Sequence, residues 1–213
     1  IEAGKRGRSV LLIDHAKKIG EKIRISGGGR CNFTNINTTP NAFISKNPHF
    51  CKSALKQYTQ HDFIKLVEKH GIAYHEKTLG QLFCDQSSQQ IIDMLLGECD
   101  EAGVALHKDT TIENITRGAN DRYSVHTSRG LAVCDSLVIA TGGLSIPKIG
   151  ATKFGSEIAK QFGINVIETK PALVPLTFSA AMLEHCKALS GVSLPATVSC
   201  GKSSFSEALL FTH

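Results

Sequence analysis

Tryptophan is absent from this 213-residue chain, methionine occurs twice, and aromatic side chains make up only 6 % of it. Surfaces that grip single-stranded nucleic acid by stacking interleave rings with cations, and no such pattern is present. No apolar run approaches the roughly 18 residues a membrane-crossing helix needs. The longest, Val10 to Ile13 and Leu137 to Ala140, have strand length. Seven cysteines occur, but no two lie closer than 14 positions, which leaves neither a CxxC redox pair nor a zinc spacing. The nine histidines include no HExxH and no pair spaced to ligate a metal, so no metal site is expected. Ile1 to Gly7 has neither the apolar core nor the cleavage site of a secretory signal. Together with cysteines placed as small hydrophobes in apolar contexts, this reads as a cytoplasmic chain.

What remains is ordinary globular material: 41 % hydrophobic, 20 % charged, with a mean hydropathy of −0.05. The net charge of +5 resides entirely in residues 1 to 30, which carry eight basic and three acidic side chains. Such asymmetry points to an anion bound near this end, either the phosphates of a cofactor or a nucleic-acid backbone.

Ile1 to Lys5 reads as the last turn of a helix stopped at Gly7, and Ser9 to Ile13 as a short buried strand closed by Asp14. A helix leading into a strand with an acidic end is the second half of a βαβ nucleotide-binding unit, whose glycine-rich turn stands about 20 residues upstream of the carboxylate. The turn would thus precede Ile1. His15 to Pro48 has little periodicity and much Gly, Asn and Thr, and reads as a long functional loop with short structured pieces. Helices are predicted over Thr59 to His70, over Ser88 to Ala102 with a Ser87/Gln90 capping box, and over Gly155 to Phe162. Strands are predicted at Val104 to His107, Thr111 to Ile115, Tyr123 to Thr127, Leu131 to Cys134, Leu137 to Ala140 and Ile164 to Ile167. Beyond Pro171, short strands at Leu173 to Phe178, Ala196 to Cys200 and Leu209 to Thr212 suggest the start of an antiparallel domain.

The stretch Ile25 to Asn35, ISGGGRCNFTN, carries the most chemistry. Gly27, Gly28 and Gly29 expose backbone N–H groups to a diphosphate or flavin edge. Arg30 adds a planar cation, and Ser26, Asn32, Thr34 and Asn35 add neutral hydrogen bonds. Asp14 offers a carboxylate for ribose hydroxyls. Ala140, Thr141, Gly142 and Gly143 end an apolar run where ligands of open α/β sheets collect. Cys31 reads as packing beneath the ligand, since no resolving cysteine lies nearby. Ser26 is not in a GxSxG elbow, which argues against a hydrolase, and no side chain is singled out as catalytic.

These elements resemble the HI0933-like flavoproteins, a family of NAD(P)/FAD-dependent oxidoreductases that includes bacterial bile-acid reductase-like and aminoacetone oxidase-like proteins. The resemblance rests on Lys22 to Asn35, KIRISGGGRCNFTN, with support from Leu137 to Gly143 and Ile149 to Thr152. It implies an α/β fold: a three-layer, Rossmann-like FAD-binding domain with a mostly parallel sheet over 1–172, and the start of an inserted antiparallel β-barrel over 173–213. By the same resemblance Asp14 would hold the adenosine ribose, the Ile112 backbone would meet the adenine, and Ser26 to Asn32 would line the pyrophosphate and flavin. Ala140 to Gly143 would close over the cofactor, and Lys22, at the head of the signature, counts among the cofactor-binding residues. Lys153 and Phe154 depart from the Gly-Asp that many members carry there. The missing dinucleotide glycines and C-terminal return imply a fragment, aggregation-prone and a poor FAD binder on its own.

The implied activity is an oxidoreductase in which bound FAD passes hydride or electrons between a reduced nicotinamide, NAD(P)H, or a small organic substrate and an acceptor. The alternative is a flavin-associated protein that binds or modifies RNA. The scarcity of aromatics sets nucleic acid aside as a partner in this reading, and leaves a small-molecule substrate.

Overall fold

A computed structural model describes residues 1–171 and 174–212, which divide into two compact units, 1–166 and 167–213. In the first unit a short helix α1 (Glu2–Lys5) leads into strand β1 (Val10–Ile13), with Gly7 left-handed between them as expected. The loop that follows holds short structured pieces, as its sequence suggested: helix α2 (Glu21–Ile25), a 3-10 turn at Ser26–Gly29 and strand β2 (Asn32–Asn35). Helices α3 (Lys52–Gln57) and α4 (Gln60–Lys69), strands β3 (Tyr74–Glu76) and β4 (Gln81–Cys84), helix α5 (Gln89–Glu101) and strand β5 (Val104–His107) come next. A meander of β6 (Ile112–Arg117), β7 (Tyr123–Thr127) and β8 (Gly130–Cys134) precedes helix α6 (Phe154–Gln161).

β1 and β5 pair in parallel, Ile13 opposite His107, while β2-β4-β3 and β6-β7-β8 are antiparallel three-stranded sheets. Two cores result. Val67, Ile91, Met94, Cys31 and Cys84 pack between α4, α5 and the β2-β4-β3 sheet; Ile115, Val125 and Ile158 pack the meander against α6. α4 begins as read: Thr59 and Asp62 form a capping box, with Thr59 N–H donating to Asp62 Oδ2 at 2.8 Å. The Ser87/Gln90 box expected at α5 does not form, because Ser88 takes the cap position and Ser87 Oγ accepts from Gln89 N–H instead.

The second unit holds helix α7 (Ala180–Cys186) and the antiparallel hairpin of β9 (Ser193–Cys200) and β10 (Ser203–Leu210). Three predicted strands are corrected. Leu137 to Ala140 is irregular, with Val138 82 % exposed, because no strand among the described residues lies beside it to take its backbone hydrogen bonds. Ile164 to Ile167 and residues 174–178 are likewise irregular and exposed for want of a partner, and Leu173 lies outside the described residues.

Sequence periodicity could not foresee the role of Glu98. Its carboxylate, on the apolar face of α5, is fully buried and receives three donors: Lys5 from α1, Lys69 at 2.9 Å and His70 at 2.8 Å from the end of α4. The Lys5 bond first, then those of His70 and Lys69, hold the Glu98 carboxyl down at about 2. A carboxyl whose pKa is lower folded than unfolded contributes stability that is complete above its ordinary value near 4.3 and fades as pH falls toward 2. Thermal unfolding followed from pH 6 downward should therefore show a steep loss of melting temperature below about pH 4.5, and Glu98→Gln should flatten that part of the profile. An unchanged profile in the variant would contradict the assignment.

Candidate functional site

Parallel strands finish on the same edge of a sheet, so the segments following β1 and β5 lie side by side. Asp14 N–H donates to His107 O at 2.9 Å, and Thr110 N–H to Asp14 O at 3.1 Å. The Asp14 carboxylate uses Oδ1 to accept Ala16 N–H at 2.8 Å, and no described residue occupies Oδ2. Ile112, at the start of β6, packs against the same cluster as Ile13, one residue before Asp14.

The glycine triplet turns sharply. Gly27, Gly28 and Gly29 have φ of 58°, 65° and 89°, a left-handed run that only glycine adopts without strain. A Cβ on Gly27 would stand 2.5 Å from the Phe83 ring, whereas one on Gly28 would meet nothing within 4 Å. One glycine is required by packing beneath the turn, the next faces open space. Ser26 O accepts from Cys31 N–H at 2.9 Å and Ser26 Oγ from Asn32 N–H at 3.2 Å, closing the turn on itself. Arg30 is exposed and has no ion pair among the described residues.

Cys31 lies in the first core, 4 % exposed, and burial, reinforced by Cys84, pushes its thiol up to about 11. It is a neutral packing group with only its backbone turned toward the triplet's side. Asn32, Thr34 and Asn35 follow on β2, with a bulge at Phe33. The Asn35 side chain is consumed locally, donating to Leu79 O at 3.0 Å and accepting from Asn37 N–H at 2.8 Å.

Residues 140–143 form an exposed irregular stretch rather than the end of a strand. Two contacts fix where it runs. Lys22 Nζ, on α2, donates to Ser145 Oγ at 3.1 Å and Gly143 O at 3.4 Å. Further along, a Cβ on Gly150 would stand 2.6 Å from His15 Nε2, so the chain there presses on the neighbour of Asp14. The segment from Thr141 to Gly150 thus spans from the helix that delivers the glycine triplet to the loop that carries Asp14. Sequence reasoning had Lys22 only as part of a signature and did not single out His15; neither bridge leaves a signal in spacing.

A left-handed glycine turn with one open face, an unpaired guanidinium next to it in sequence, and a carboxylate with a free oxygen are groups that suit an anion bearing sugar hydroxyls. A family model described as HI0933-like protein Rossmann domain matches residues 1–205. The chain belongs to this family. Among HI0933-like relatives, "Ribosomal RNA dihydrouridine synthase" of Escherichia coli strain K12 is 51 % identical over 99 % of this chain and 53 % of its own length. The protein of the same description from Haemophilus influenzae is 49 % identical over 100 % of this chain and 54 % of its own. "3-dehydro-bile acid delta(4,6)-reductase" of Clostridium scindens is 24 % identical over 78 % of this chain and 41 % of its own.

The chain spans about half the length of the first two relatives. Its Rossmann-like α/β fold is that of the family, with β1 and β5 as its parallel element and the antiparallel sheets alongside. One expectation is overturned: nucleic acid had been set aside as a partner for lack of aromatics, yet both of these relatives are named for an RNA substrate. The error lay in treating stacking as the general mode, when RNA backbones are also held by cations alone.

Proposed function

We propose that this chain carries the cofactor half of a flavin-dependent enzyme that reduces a uridine of ribosomal RNA. The observation that supports the flavin part is that the 143–150 segment touches both Lys22, on the helix leading into the glycine triplet, and His15, the neighbour of Asp14. Bound FAD would supply a hydride to C6 of the uracil ring, with a proton added at C5. In that arrangement the Gly27–Gly29 amides, Arg30 and Lys22 would hold the pyrophosphate, Asp14 would accept from the ribose hydroxyls, and the Ile112 backbone would meet the adenine. Ala140 to Gly143 would lie over the cofactor, and a reduced nicotinamide, NAD(P)H, would supply the electrons. The hairpin of β9 and β10 belongs to the start of an inserted β-barrel in this reading.

The relatives favour RNA over a small organic substrate, since the two at about half identity share one description and the reductase is far more distant. Incubating the full-length protein with ribosomal RNA and NADPH, then digesting the RNA for mass spectrometry, should reveal a uridine that has gained two hydrogens. Unmodified RNA with rapid NADPH consumption on steroid enones would instead favour the small-molecule reading.

A further inference from the structure

A second cationic feature lies outside the cofactor crevice. The ladder between β1 and β5 continues past the strands, with Asp109 N–H donating to Ala16 O at 3.1 Å, and this draws Lys108 toward Lys17 and Lys18. Arg24 closes the group from α2, its Nε donating to Ile19 O at 3.1 Å and a terminal nitrogen to Gln89 Oε1. These four cations line a cleft of about 290 Å³ over an aliphatic floor that includes Leu96 and Leu106. No carboxylate lines it, and none of the four cations has an ion pair among the described residues. Residues two apart on a helix point to different sides. Lys22 reaches Gly143, so Arg24 and its cleft lie on the side of α2 turned from the cofactor crevice.

Gathering four like charges in one recess costs repulsion that a bound polyanion would relieve. In the proposed function the dinucleotide phosphates are assigned to the triplet, Arg30 and Lys22, not to these four cations. We propose that this cleft grips the phosphodiester backbone of the RNA substrate, without reading its sequence. The assignment rests on the RNA reading above and names the surface through which it works. Aliphatic rather than aromatic walls suit phosphate contact and not base stacking.

The test is fluorescence anisotropy of the full-length protein with a labelled single-stranded RNA of mixed sequence, across a salt series. Lys17→Ala/Lys18→Ala/Lys108→Ala removes three exposed, unpaired ammonium groups and keeps Arg24, which braces the loop. Affinity should fall at least about tenfold at moderate salt, and the slope of log affinity against log salt should drop by about two. Flavin content per chain should stay unchanged. Arg6→Ala/Arg8→Ala, altering a recess that also holds Glu2, is the control for bulk charge and should leave affinity within about twofold. Should the triple variant misfold, Lys108→Glu alone is expected to reproduce most of the loss. Unaltered RNA binding in the variants, an equal loss in the arginine control, or a loss of flavin in parallel would each overturn the cleft assignment. Failure of the wild-type protein to bind RNA would bring down the RNA reading as well.

Discussion

Gly27→Ala is expected to lower the melting temperature by about 10 °C, while Gly28→Ala, one residue on, costs about 3 °C yet loses more of the bound flavin. Both positions are left-handed, which charges an L-residue about 1 kcal/mol. Only at Gly27 does the new methyl carbon meet a neighbour, Phe83 at 2.5 Å, and Phe83 is itself in a buried strand facing β2. Overpacking of that kind adds about 1 to 3 kcal/mol. At Gly28 the methyl has room, so a loss of flavin there would come from the ligand the proposed function assigns to the open face of the triplet. Thermal melts paired with the visible flavin absorbance of each purified variant separate the two effects. Equal behaviour of the two variants in both measurements would mean that the triplet is a plain turn with no ligand face.

Much of this was legible from residues alone. Local signals carried α4, whose Thr59/Asp62 box is a short-range hydrogen-bond pattern, and the β6-β7-β8 meander, whose turn is set by Ser128, Arg129 and Gly130. The glycine triplet announced itself because three adjacent left-handed residues have few other uses. What failed was nonlocal. Leu137 to Ala140 has the composition of a buried strand, but composition supplies no hydrogen-bonding partner, and the segment is exposed. β2 and β4 were missed because NFTN and QLFC are too short to show alternation, and they become strands only through each other. Glu98 is buried on α5 beside Ile91, Ile92 and Met94, which the sequence did not signal; three donors from distant elements make a carboxylate acceptable there. The basic cleft was foreshadowed by the charge of residues 1 to 30, but Lys108 joins it only through the parallel pairing.

Asp14→Asn is expected to weaken FAD about tenfold and leave FMN untouched. The amide oxygen can still accept Ala16 N–H and hold the loop, so the fold is spared. What is lost is the negative charge at Oδ2, and a hydrogen bond to a charged acceptor exceeds one to a neutral acceptor by roughly 1 to 1.5 kcal/mol, or about tenfold in affinity. FMN has no adenosine to place there, so its binding is the internal control.

The proposed function requires the glycine triplet and Asp14 to engage one and the same cofactor. Calorimetric titration of FAD and FMN into flavin-stripped full-length protein, wild type beside Asp14→Asn, addresses it most directly. The wild type should prefer FAD by about a hundredfold, since in the proposed arrangement only FAD would engage both the glycine triplet and Asp14, and the variant should forfeit about tenfold of that preference. FAD and FMN binding with equal affinity, or an Asp14→Asn variant that weakens both alike, would show that Asp14 and the glycine triplet do not share a ligand.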